Sequence, residues 1–281
     1  MIAYLNGAFL PKEEVTISPD DRGFLFADGA YEVIRSYDGK LFKAGAHLQR
    51  LARSLRELRI DFPGVNALTG VAEALIQKNG LQQGQATVYF QVTRGVAPRT
   101  HRFPVTPVPA TVFASASVFH PHQDELDAGI KIVLVSDTRW TRCDIKSISL
   151  LPNILAHQHA RDNGAPEAIF IRDGAVTEGS HSNFFAVLDG QLWTGPESNL
   201  LLAGITRQIV LDLAMILNIP VKKFPILETR LKRADELFIA GTTVEITPVV
   251  RVDDWTVGDG QPGPITKKLQ AAFYDYLKTT R

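Results

Sequence analysis

Thr177-Glu178-Gly179-Ser180-His181-Ser182-Asn183 is the stretch on which the reading of this chain turns. It joins two runs of strand character, residues 175–178 and 182–188, rich in β-branched and aromatic side chains. One turn here gathers a carboxylate, a glycine and several hydroxyl side chains, which together offer charge, room and hydrogen-bonding groups. Taken alone, Glu178 reads as an exposed glutamate at a hairpin edge. A chemical role for it is conditional on a partner elsewhere.

That partner stands about thirty residues upstream, in Arg139-Trp140-Thr141-Arg142-Cys143-Asp144-Ile145-Lys146-Ser147. Lys146 sits among Ile145, Ile148, Leu150 and Leu151. A lysine in such company either lays its stem on apolar surface with the amine in water, or is buried, with its pKa lowered and its free amine nucleophilic. In the second case lysine and glutamate together suggest pyridoxal phosphate chemistry. The lysine forms a Schiff base, and the carboxylate keeps the pyridine nitrogen protonated.

A cofactor phosphate needs donors. Gly204-Ile205-Thr206-Arg207 opens a helix, residues 204–217, whose first N–H groups and Thr206 hydroxyl suit a phosphate, with Gly204 allowing close approach. Simple N-capping explains the same residues. Gly241-Thr242-Thr243 follows a strand and offers a second such turn. Arg50, beside the core residue Leu51 on a helix over 47–58, is either a solvated helix face or a phosphate partner. Arg99-Thr100-His101-Arg102 lies in a loop, residues 94–109, with several prolines. It reads either as solvated surface or as a clamp for a substrate carboxylate, which arginine grips with two parallel hydrogen bonds.

The whole chain sets bounds around these residues. Its 281 residues permit two domains. Residues 1–118 form a smaller α+β domain, 119–123 a linker, and 124–281 a larger domain carrying the cofactor residues. Helices at 47–58, 68–78, 152–162, 204–217, 229–235 and 264–277 are interspersed with hairpin-linked strands without a βαβ rhythm, so the fold class is α+β. Equal counts of 30 basic and 30 acidic residues, with no long basic run, do not indicate a nucleic-acid surface. The single cysteine excludes an internal disulfide and fits a reducing, cytoplasmic setting. No leader pattern and no membrane-spanning run are read. His157 and His159, two apart on a helix, do not face one way, so no zinc site is expected. Asp20-Asp21 has no partner motif, and Ser180 and Ser182 lack the elbow of a serine hydrolase.

Taken in order, Thr177–Asn183, Gly204–Arg207 and Thr243-Val244-Glu245-Ile246-Thr247-Pro248 resemble the signature of the class IV, fold-type IV aminotransferases. The resemblance runs from Tyr4 to the last helix. It implies a two-domain α+β fold with the pyridoxal 5'-phosphate site at the domain interface. Three segments resemble the branch acting on D-amino acids: residues 29–33, 92–101 and 142–147. The implied reaction is ping-pong transamination between a D-amino acid, such as D-alanine or D-glutamate, and 2-oxoglutarate or pyruvate. Lys146 would be the Schiff-base lysine and proton shuttle, and Glu178 the partner of the pyridine nitrogen. Arg50, Ile205, Thr206 and Thr242 would hold the phosphate, Leu202 would pack on the ring, and Arg139 would lie near the 3-oxygen. Tyr31, Arg99 and His101 would bind the substrate carboxylate, the last two from a neighbouring subunit, which implies a homodimer. A branched-chain L-amino-acid aminotransferase, an aminodeoxychorismate lyase and a non-enzymatic cofactor-binding protein are the alternatives. Gly241, where a hydroxyl residue is common, and His181, where serine is frequent, depart from the pattern.

Overall fold

Asn6-Gly7 turns β1 (Ile2–Leu5) into β2 (Ala8–Pro11), as the dipeptide's tolerance of positive φ requires. The computed structural model describes residues 1–279. After this hairpin come α1 (Arg22–Phe26), β3 (Gly29–Tyr37), β4 (Lys40–Leu41), α2 (Ala44–Glu57), α3 (Leu68–Lys78), β5 (Gln85–Thr93) and β6 (Thr111–Val118). The six strands form one antiparallel sheet in the order β2-β1-β6-β5-β3-β4. Alternate residues Ile34, Val88, Phe90 and Ala114 point to one face. There they meet Leu48, Leu51 and Leu55 of α2 and Leu75 and Ile76 of α3. The helix spacing read from the sequence is therefore the spacing of a core stripe.

The chain then forms α4 (Gln123–Ala128), β7 (Ile130–Ser136), α5 (Leu151–Asp162), β8 (Glu167–Arg172), β9 (Ala175–Gly179), β10 (Asn183–Leu188), β11 (Gln191–Thr194), α6 (Ile205–Ile216), β12 (Val221–Lys223), β13 (Ile226–Leu227), α7 (Glu228–Leu231), β14 (Glu236–Gly241), β15 (Glu245–Val252), β16 (Trp255–Thr256) and α8 (Pro264–Thr279). These strands make a mixed sheet, β12-β11-β10-β14-β15-β7-β8-β9-β13, with β16 on β15. β7 pairs parallel with β8 across the α5 crossover, and Ala156 and Ala160 of α5 pack on Val133, Ala168 and Phe170. Among the described residues no helix is long and apolar enough to cross a membrane.

Contacts divide the described residues into two units: Met1–His120 with Ile145–Leu150, and Pro121–Asp144 with residues 151–279. The linear reading placed residues 145–150 in the second domain; their contacts put them in the first. Strand pairing is the reason. Ser147 pairs antiparallel with Ala30, Tyr31 N–H donates to the Lys146 carbonyl at 3.0 Å, and Ile148 N–H donates to Gly29 O at 3.1 Å. Two short helices, α1 and α4, join the elements read from the sequence; α4 begins on Gln123, the last residue of the expected linker 119–123, and Asp21 caps α1 by accepting from Gly23 N–H at 2.7 Å.

Candidate active site

Lys146 is held against β3 by its own main chain. Its carbonyl accepts from Tyr31, and its N–H donates to Ser54 Oγ of α2 at 3.2 Å. Gly29 makes room for this segment: a Cβ there would stand 2.7 Å from Val92 O and 3.0 Å from Ile148 Cδ1. The half-buried Lys146 amine then donates to the Tyr31 hydroxyl at 3.3 Å and lies 4.3 Å from that ring's centroid. The structure thus brings Lys146 and Tyr31 together.

The next residue of β3, Glu32, is fully buried. Arg50 grips it with Nε to Oε1 at 2.7 Å and Nη2 to Oε2 at 2.9 Å, and His47 Nδ1 lies 2.8 Å from Oε2. His47 and Arg50 share one face of α2 because they are three residues apart. Burial alone would raise the Glu32 pKa. The Arg50 charge and the hydrogen bonds from His47 and Arg50 outweigh it and hold the group at about 2. Burial lowers His47 below its ordinary 6.5, against the pull of Glu32. Arg50 is therefore neither a solvated residue nor isolated; it belongs to a buried ion network that the sequence did not reveal.

Arg99 and His101 are exposed, yet their loop is fixed. The Arg99 guanidinium lies 5.4 Å from the Phe26 ring centroid, and the His101 ring meets the same phenyl edge-on at 5.8 Å. Arg22 Nη1 donates to Thr100 O at 2.8 Å. Arg94 binds Asp28 at 2.7 and 2.9 Å, donates to the carbonyls of Leu58 and Arg59, and stacks on Phe103. Gly95 has φ +97, and a Cβ there would overlap Pro109 O. The cationic loop is thus anchored at both ends rather than loose.

In the second unit every residue of the opening motif has a physical reason. Thr177 Oγ1 donates to Asp137 at 3.0 Å. Glu178 is buried; its Oε1 accepts from Arg139 Nη1 at 2.5 Å, and its Oε2 from Leu202 N–H at 2.9 Å and Asn183 Nδ2 at 3.2 Å. Asn183 Nδ2 also donates to Leu202 O at 2.9 Å, and its Oδ1 occupies the space a Cβ on Gly204 would need. Arg139 binds Asp137 through Nε and Nη2 and lies 4.2 Å over the Phe170 ring. Burial opposes the Arg139 charge, but the Asp137 hydrogen bonds and the Glu178 charge raise its pKa further.

Gly204 precedes α6 in extended conformation, and among the described residues no side chain caps that helix. The N-capping reading of Gly204–Arg207 therefore lacks its side chain, while Thr206 is buried in the first turn. Thr242 is half-buried in the turn between β14 and β15. A Cβ on Gly241 would stand 3.5 Å from His181 O and 3.1 Å from Val244 Cγ2, so the lost hydroxyl is not imposed by backbone. His157 lies near His181 and Glu167 rather than working with His159. Sequence reading passed over Glu32, His47, Asp137 and Glu167. Only a charged residue inside an apolar strand, as in Glu32 and Glu167, signalled any of them.

Each unit by itself carries groups that suit pyridoxal phosphate: the first an amine beside a phenol, the second a clamped carboxylate and an uncapped helix start with glycine before it. The model of the family described as amino-transferase class IV matches residues 29–252, and the chain belongs to that family. A D-alanine aminotransferase of Staphylococcus haemolyticus is 42% identical over 98% of each chain. Among solved structures, the Escherichia coli branched-chain amino acid aminotransferase superposes with a TM-score of 0.90 at 29% identity, covering 98% of this chain and 93% of that one. The branched-chain aminotransferase of the archaeon Thermoproteus uzoniensis, solved with norvaline, gives 0.89 at 28% identity, covering 100% and 96%.

Proposed function

We propose that this chain transfers the amino group between a D-amino acid, such as D-alanine or D-glutamate, and a 2-oxo acid by a ping-pong mechanism with pyridoxal 5'-phosphate. The observation that carries this reading is the full-length 42% identity to a D-alanine aminotransferase. The branched-chain enzymes share the fold at 28–29% identity, which supports the L-specific alternative less well.

When bound, pyridoxal phosphate supplies the electron sink that stabilises the charge left on Cα after its proton departs. Lys146 Nζ would hold the cofactor and would move the proton at the substrate's Cα. The Tyr31 hydroxyl keeps Nζ aimed. Glu178, fixed by Arg139, Asn183 and the Leu202 N–H, would pair with the pyridine nitrogen. The first-turn N–H groups of Ile205 and Thr206, with the Thr206 and Thr242 hydroxyls and Arg50, would hold the phosphate, and Leu202 would lie against the ring. Arg139, held by Asp137, keeps Glu178 in place and would lie near the 3-oxygen. Tyr31, Arg99 and His101 bind the α-carboxylate. A carboxylate so fixed presents one face of Cα to Lys146, and the mirror-image substrate turns its hydrogen elsewhere. Arg99 and His101 serve the site of a second protomer, so the working form is a homodimer, and the single cysteine suits the cytoplasm.

The test offers the cofactor-loaded protein D-alanine or L-isoleucine, each with 2-oxoglutarate. Pyruvate and glutamate should form from D-alanine. Turnover of L-isoleucine alone would transfer the chain to the branched-chain activity.

A further inference from the structure

Glu167, the first residue of β8, is 1% exposed, and both its oxygens are engaged. Oε1 accepts from Ala168 N–H at 2.9 Å, Ser180 N–H at 3.1 Å and Ser180 Oγ at 2.5 Å. Oε2 accepts from Ser182 Oγ at 2.7 Å and pairs with His181 Nδ1 at 3.1 Å. A Cβ on Gly179 would overlap Ser182 Oγ and stand 2.9 Å from Glu167 Oε2. The turn therefore wraps this carboxylate: glycine gives room, and the two serines give donors. Its ends are Glu178 and Asn183. Asn153 Nδ2 of α5 supports it from outside by donating to Ser180 O at 2.8 Å.

His157, Glu167 and His181 bring ligand atoms within 4.8 Å of one another, the composition of a divalent-cation site. A cation would have to displace a serine hydroxyl or the His181 contact from a carboxylate that is already satisfied. The partners instead make Glu167 the anchor of the turn, with His181 beside it. On α5, burial, His181 and Arg161 lower the His157 pKa below its ordinary 6.5, against the pull of Glu167. Burial would raise its pKa, but His181 and the serine hydroxyls hold it at about 2, so it is an anion at neutral pH.

We propose that Glu167 is a positioning residue for the cofactor site: through Ser180, His181 and Ser182 it fixes the turn that aims Glu178 and Asn183. This rests on the assignment of Glu178 to the pyridine nitrogen. It also gives His181 a role, as the charge partner this chain supplies to the anchor.

The experiment compares E167Q, S180A, S182A, E178Q and the double variant E167Q/E178Q as full-length holoenzymes. It reads the cofactor dissociation constant, the pH midpoint of the bound cofactor's absorption band, and kcat and KM separately. E167Q should weaken cofactor binding about tenfold, the scale of one lost charge-assisted hydrogen bond. It should shift the band's midpoint and lower kcat while leaving KM for D-alanine unchanged. S180A and S182A should move the same readouts by less, and they carry the comparison if E167Q does not fold. The double variant should behave as E178Q does, because Glu167 acts through Glu178. A folded E167Q with unaltered cofactor affinity and midpoint, or additive losses in the double variant, would overturn the proposal while Glu178 keeps its role. If E178Q itself leaves both readouts unchanged, the assignment of Glu178 falls and the proposal falls with it.

Discussion

Lys146 shows what a single residue can disclose. Its apolar neighbours in sequence made it unusual, and the structure explains them as a segment paired to the edge of β3, with the amine 3.3 Å from the Tyr31 hydroxyl. Lys146→Ala should retain noncovalent cofactor binding and lose about a thousandfold or more of turnover, the scale of a general acid–base group; absorbance titration and steady-state assay read the two effects. Arg99→Ala should raise KM for D-alanine and 2-oxoglutarate together, by about 1.5–3 kcal/mol of lost charge-assisted binding. Unchanged values would return the loop to solvated surface. Cys143 is buried, its thiol pushed up to about 11 by burial above all and by the Glu178 and Asp137 charges, against the opposing Arg139. It should react with iodoacetamide at neutral pH far more slowly in the native protein than after denaturation. Glu178 was legible because its motif is contiguous. Glu167 was not, because its partners lie thirteen to fifteen residues away across a turn, and no local pattern announces such a contact.

Elements explain why glycines punctuate the site. Gly204 precedes α6 without positive φ, so its helix start could accept alanine on backbone grounds. Asn183 Oδ1 forbids it, and the same carboxamide holds Glu178 and the Leu202 carbonyl. Gly204→Ala should push Asn183 aside, cost about 1–3 kcal/mol of stability as overpacking does, and weaken cofactor binding. Thermal melts and cofactor titration check it; a variant with native melting and affinity would show that the carboxamide yields freely. The long amphipathic elements were readable from their period: the reading of 68–78 as helix coincides with α3, and α2 begins only three residues before the expected 47. What escaped was short. α1 and α4 span five and six residues, and β12, β13 and β16 two or three, too few for a hydrophobic period to repeat.

At the scale of the molecule, sequence contiguity proved a poor guide to membership. Residues 145–150 lie far downstream of the first unit in the chain yet belong to it, because a strand edge was open beside Ala30. The two units share a design, each burying one carboxylate that the surrounding polar groups hold near a pKa of 2: Glu32 by Arg50 and His47, Glu167 by His181, Ser180 and Ser182. In the unfolded chain both return to about 4.5, so between those values the unfolded state binds more protons. Their stabilisation, about 3 kcal/mol each by linkage, is fully present above pH 4.5 and is lost as pH falls toward 2. His47 acts in the same direction at higher pH. Its folded pKa lies below the unfolded 6.5, so stability rises as pH rises through that range. The melting temperature should therefore fall modestly from pH 7 to about 5.5 and steeply below about 4.5. E32Q and E167Q should each be less stable at pH 7 and each flatten the acid limb. A melting temperature for either variant that tracks the parent in parallel from about pH 7 to about pH 3 would mean that the carboxylate is not the group lost in acid.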